Sequence, residues 1–149
     1  MPIFVNQTEI TDEEVFREMQ YHPAASQDVA LEEAARSLTI RELLRQEALE
    51  QQLVDEAAEL EDVDSAIMKL IEKEVQAPEA EPQMCRRYYE QNKDRFRAGP
   101  DAVAQPFELV EDKIRDYLHT RSIRHGIQSY ILDLITRHKV AGFDLAAIL

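Results

Sequence analysis

The chain has 149 residues, 44% hydrophobic and 32% charged, with three glycines and one cysteine; that length suits one domain burying roughly 70% of its unfolded surface, and so little glycine argues against an all-β sandwich or barrel. The net charge of −13 is unevenly spread: residues 1–82 hold 21 acidic and 6 basic residues, residues 83–149 hold 9 and 11. Such an acidic surface repels a phosphate backbone, which excludes nucleic acid as a direct partner.

"PIFVNQTEIT" alternates bulk at Ile3 and Val5 around the polar pair Asn6-Gln7, and predicts a short strand or small hairpin. "TDEE" follows, where Thr11 can cap a helix and Glu14 can reach back to complete a capping box. That helix, carrying Val15, Phe16 and Met19, should stop near "YHPAAS", because Pro23 disfavours helical geometry at His22. From about Asp28 to Leu53 there is neither proline nor glycine, and apolar residues recur at helical spacing. Leu31, Ala34, Ala35, Leu38, Leu49 and Leu53 form one stripe, while Ile40, Leu43, Leu44 and Ala48 lie opposite. A helix apolar on two sides is a helix surrounded by others, so this one is expected at the centre of the core.

A third helix follows "ELEDVDS", with Val63, Ala66, Ile67, Leu70, Ile71 and Val75 inward and acidic residues near its N-terminus, where the helix dipole favours them. "QAPEAEP" closes it. Pro82 suits the first turn of a fourth helix, in which Met84, Cys85, Tyr88, Tyr89 and Phe96 recur at spacings of helical type and which should end close to Phe96. Gly99-Pro100 then breaks the chain, leaving residues 97–105 as a short linker. Pro106 opens the longest helical pattern, to about Lys139. Phe107, Val110, Ile114, Tyr117 and Leu118 share one face of it, whereas Ile123, Ile127, Tyr130 and Leu134 point the other way. The two halves must bury against different things, with Gly126 either permitting a bend or lying in a straight helix. "VAGFDL" is extended and can pair with the N-terminal strand.

Little here suggests catalysis. His22, His119, His125 and His138 have no spacing that converges on a metal, and Cys85, with no second cysteine to bridge, is expected as a buried, inert thiol. No glycine-rich loop cradles a phosphate, and no serine stands in a strand-to-helix elbow. No cofactor is expected. The carboxylate pairs read as solvated helix surface. Arg86-Arg87 beside Tyr88-Tyr89 could grip an anion or stack on a peptide, against the plainer fate of exposed arginines and half-buried tyrosines beside Phe96. There is no basic-then-apolar leader and no run near the ~18 apolar residues a membrane span needs, so a cytoplasmic chain without membrane contact is expected.

The segments "VNQTEIT", "YHPA", "ALEEAARSLTIRELLRQEAL", "AIMKLIEKEV", "EAEPQMCRRYYEQNKDRF" and "PFELVEDKIRDYLHTRSIRHGIQSYILDLI", closing on "VAGFDL", stand in a suggestive order. Together they cover nearly the whole chain, and they resemble the helical, SurA-like chaperone-type domain of parvulin-family peptidyl-prolyl isomerases, its nitrogenase-maturation branch most of all. The resemblance implies an all-α fold: one multi-helix chaperone-type domain over residues 1–149, with a long C-terminal helix and short terminal extended segments that pair. In that family a parvulin domain of about 100 residues is inserted where this chain has only Arg97 to Gln105. The family's Arg-His-Ile-Leu type strand, its proline pocket and its second catalytic-site histidine have no counterpart, and His125 in "RHGIQSY" lies on the long helix and takes no catalytic role.

The resemblance therefore implies a chaperone-like domain that assists folding or maturation without isomerase activity. Its partner would be a polypeptide client, with the nitrogenase iron protein as the candidate. The residues expected to contact the client are Phe16, Tyr21, Tyr88, Tyr89, Phe96 and Tyr117, with burial in the core as the competing fate of most. A different reading is a structural homodimer or adaptor formed by helix exchange. It arises if the linker, spanning at most roughly 30 Å, stops the long helix from reaching its own N-terminal half.

Overall fold

In the computed structural model, which describes residues 2–149, the chain opens as a hairpin in which β1 (Ile3–Val5) returns as β2 (Thr8–Ile10). The register sets Val5 opposite Thr8 and Ile3 opposite Ile10, so the buried Ile3, Val5 and Ile10 share one face. The two-residue turn needs a left-handed backbone, and Asn6 supplies it at φ 56. Helix α1 (Asp12–Glu18) begins with the expected capping box: Thr11 Oγ1 accepts from Glu14 N–H at 3.2 Å, and Glu14 Oε2 accepts from Thr11 N–H at 2.8 Å. A 3-10 turn, Met19–Tyr21, finishes it ahead of Pro23.

Helix α2 (Gln27–Glu50) is capped by Ser26. Its buried positions, among them Ala30, Ala34, Thr39, Leu43, Leu44 and Ala48, run round the whole helix, as the two-sided apolar pattern predicts. Leu31 departs from its expected stripe and stays 38% exposed. The helix stops short of Leu53 because Gln52 turns left-handed (φ 60), which lets Leu53 N–H reach Ala48 O at 2.9 Å and Gln52 N–H reach Leu49 O at 3.0 Å. Helix α3 (Leu60–Glu74) buries Val63, Ala66 and Leu70. Helix α4 (Pro82–Gln91) ends earlier than expected, since Asn92 Nδ2 donates to Tyr88 O at 2.8 Å, and a separate 3-10 turn, Lys93–Phe96, carries the chain on.

Helix α5 (Phe107–Arg137) passes through Gly126 without a break. A Cβ there would stand 2.8 Å from Val75 Cγ1, so that glycine serves a close approach. After α5 come β3 (Val140–Ala141) and the short α6 (Leu145–Ile148). The fold is thus mostly helical with one small sheet, ordered β2-β1-β3, in which β3 pairs antiparallel with β1 and joins the two ends of the chain.

Packing divides the chain into two compact units, Met1–Glu74 with Gln128–Leu149, and Val75–Ile127. In the first, α1, α3 and β1 pack on α2, and the later part of α5 adds the buried Ile131 and Leu134. The C-terminal segment therefore reaches the N-terminal half of the same chain. In the second unit Cys85 and Tyr89 from α4 meet Phe107, Val110, Ile114 and Leu118 from the early part of α5, with Ala80 alongside. The change of apolar face along α5 has its cause here: each half supplies a different core. The linker closes on itself, with Gln105 N–H donating to Phe96 O at 2.9 Å and Tyr89 Oη donating to Gln105 O at 2.7 Å.

Candidate functional site

Each unit carries a cleft. In the first unit, Val15 turns inward from α1, which sends its neighbour Phe16 outward and leaves it 60% exposed. Phe16 borders a groove of about 340 Å³ with Ile3, Val15 and Ala35 beneath it and Leu31 and Phe143 beside it, while Asp12, Asp28 and Glu32 stand at the rim. Gly142 allows the chain to pass here: its φ is +84, and a Cβ would lie 2.2 Å from Pro2 O. The field over this groove is negative, because the first unit holds 21 acidic against 8 basic residues and the second holds 9 of each. Tyr21 is 69% exposed and does not line the groove.

The other candidate contacts lie in the second unit and divide by depth. Tyr89 is buried, its ring stacked 5.4 Å from Phe96 and edge-on to Phe107 at 5.5 Å, and its hydroxyl is spent on the linker. Tyr88 is half-buried and Tyr117 is 45% exposed, with ring centroids 5.3 Å apart. These two border a cleft of about 330 Å³ that also receives Arg87, Arg95 and Arg121. Arg86 leaves its sequence neighbour and lies over the Phe107 ring, 4.9 Å from its centroid. Arg95 and Arg121 were not singled out from the sequence. The spacing of four between Tyr117 and Arg121 is the signal that puts them on one helix face.

A third constellation joins distant parts of the first unit. Asn6 Nδ2 lies 2.7 Å from Gln46 Oε1 and 3.0 Å from His138 Nδ1, Asn6 Oδ1 accepts from Lys139 N–H at 2.9 Å, and Gln46 Nε2 donates to Val5 O at 3.0 Å. His138 Nε2 stands 3.4 Å from Glu47 Oε2, and Arg137 Nη1 is 3.6 Å from Glu47 Oε1. Glu47 is only 3% exposed. Burial pushes its carboxyl up, but the hydrogen bond from Gln51 and the charges of Arg137 and His138 outweigh this and hold it below the usual range. Glu47, Glu50 and His138 bring ligand-type atoms within 4.8 Å of one another, a meeting that sequence spacing did not foretell. Since Arg137 and Gln51 already occupy the Glu47 carboxylate, the cluster acts as an ion-paired clasp between α2 and the end of α5.

No family model matches the chain, and neither do any curated proteins or solved structures. Among the described residues no helix is long and apolar enough to cross a membrane.

Proposed function

We propose that this chain is a chaperone-type polypeptide-binding module that holds a folding or maturing protein and performs no chemistry on it. The observation that carries this reading is the groove beside Phe16, apolar inside and acidic at the rim. An extended client segment with apolar side chains between lysines or arginines fits that pattern, the apolar groups entering the groove and the cations meeting Asp28 and Glu32. The likeness of the segment order to the helical domain of parvulin-family isomerases supports the same reading. The tight closure of residues 97–105, where that family carries its catalytic domain, agrees with a binder that has no isomerase activity of its own. On this reading the chain works in the cytoplasm, and the nitrogenase iron protein is the client to try first.

The test is twofold. The purified chain should slow aggregation of an unfolded, basic client, and a fluorescently labelled apolar-basic peptide should bind with an anisotropy change. Phe16→Ser and Leu31→Ser should each weaken that binding about tenfold, the effect of losing one well-buried apolar contact. A folded protein that retains no client, or that binds equally well after both replacements, refutes the proposal. An obligate dimer by light scattering, with this groove covered, replaces it with the structural adaptor.

A further inference from the structure

The cleft of the second unit differs in kind from the groove of the first. Its border consists of Arg87, Tyr88 and Arg95 on one side and Tyr117 and Arg121 on the other, with Leu118 and Met84 as apolar surface, and no carboxylate lines it. In a chain of charge −13, five arginines, Arg41, Arg45, Arg97, Arg115 and Arg137, each hold a carboxylate. Among the described residues Arg87, Arg95 and Arg121 hold none. The acids nearest in sequence are engaged elsewhere, Glu90 by Lys93 at 3.0 Å and Asp94 by Arg97 at 3.3 Å. Three unpaired guanidinium groups facing one space repel one another, and an anion between them removes that cost.

We infer that this cleft is a binding site for a phosphate monoester, its oxyanion held by Arg87, Arg95 and Arg121 and its organic group laid against Tyr88, Tyr117 and Leu118. Charge number selects the ligand: three cations match a dianionic phosphate better than a single carboxylate, and guanidinium forks suit its oxygens. Size selects too. A cleft of about 330 Å³ falls at the small end of organic-ligand pockets, roughly 300–1,000 Å³, and leaves room beyond a bare inorganic ion. The Tyr88 hydroxyl is held in advance, since Arg95 Nη1 donates to it at 3.1 Å, and Arg121 lies over the Tyr117 ring, 5.7 Å from its centroid. The local field already favours negative charge: the hydrogen bond with Tyr88, then Arg121 and Arg95, draw the Tyr117 phenol below its ordinary value against the opposing effect of burial.

The experiment is calorimetric titration of the whole chain at low ionic strength with phenyl phosphate, a phosphotyrosine peptide and inorganic phosphate, with amide shifts at Tyr117 and Leu118 locating the site. Phenyl phosphate should bind more tightly than inorganic phosphate. Arg95→Gln and Arg121→Gln should each lower its affinity about tenfold, the weight of one charge-assisted hydrogen-bond pair. Arg124→Gln, a change on the same helix outside the cleft, should leave it intact. All these side chains are exposed, so the variants keep their fold, which circular dichroism verifies. A peptide bound tenfold or more above phenyl phosphate places the phosphate on a polypeptide, and equal affinity places it on a small molecule. Absence of binding by both organic phosphates, or affinity unchanged in the Arg95 and Arg121 variants, overturns the assignment.

Discussion

Asn6→Ala tests whether the joined chain ends hold the first unit together. The side chain makes three hydrogen bonds, to Gln46, His138 and the Lys139 amide, and its backbone sits at φ 56. Because Asn6 is exposed and its partners regain water, each bond counts at the low end, about 0.5 kcal/mol. Alanine in a left-handed conformation costs about 1 kcal/mol more, for a total near 2.5 kcal/mol. Asn6→Gly loses the same bonds but accepts the backbone, offset by a few tenths from its freer unfolded chain, and should lie roughly 0.5–1 kcal/mol above the alanine variant. Urea unfolding followed by far-UV circular dichroism measures both. Hydrogen exchange at Val5 and Val140 reports on the sheet itself. If both variants unfold within about 0.5 kcal/mol of the parent, the clasp contributes nothing and the reasoning fails.

Gln52→Gly should stabilise the chain by about 0.5–1 kcal/mol, because glycine is the residue that the left-handed turn after α2 favours; thermal unfolding reads this as a higher Tm. Tyr89→Phe should cost about 1–2 kcal/mol by leaving Gln105 O without its donor, and exchange of the Gln105 amide should quicken more than that of the α5 amides. Glu42 and Glu47 give the pH dependence its sign. Burial raises both, but Arg45 and Gln46 around the first and Gln51, Arg137 and His138 around the second leave both below the usual carboxylate range. Their stabilisation is therefore whole above the pKa of an unfolded glutamate and is lost as pH falls through the depressed folded values. Glu47→Gln should flatten the acid limb of a stability-against-pH curve, and an acid limb of unchanged slope contradicts the role given to Glu47.

What was legible in the sequence was local. The Thr11–Glu14 capping box spans three residues, and the opposed faces of α5 follow from its period, so both could be read directly. The pairing of the terminal strands is the long-range exception, read from the extended character of "VAGFDL" and of the N-terminal strand. Most of the failures share a cause, which is that a side chain's partner lies far away along the chain. Asn6 finds Gln46 at a separation of 40 and His138 at 132, and no periodicity encodes either meeting. Leu31 fits the apolar stripe by angle but falls where α2 borders a groove, so it stays exposed. Arg86-Arg87 is a pair in sequence only. The cleft instead gathers Arg87 with Arg95 and Arg121, which requires knowing how α4 lies along α5. Neither glycine nor proline marked the end of α4 at Gln91, because the side chain of Asn92 ends it.

The strand β3 that pairs with β1 carries a kinetic consequence. During synthesis Ile3 to Val5 leave the ribosome long before Val140 and Ala141, so one edge of β1 stays open until those two arrive. Residues 75–127 are contiguous, so the second unit can complete its core from nearby segments while the first must hold its helices with an unfinished sheet and without Ile131 and Leu134. Long-range closure of this kind is slow and leaves apolar surface and an unpaired strand edge bare for a time. A released chain ending at residue 127 should therefore show a protease-resistant second unit joined to a first unit that is still readily cut.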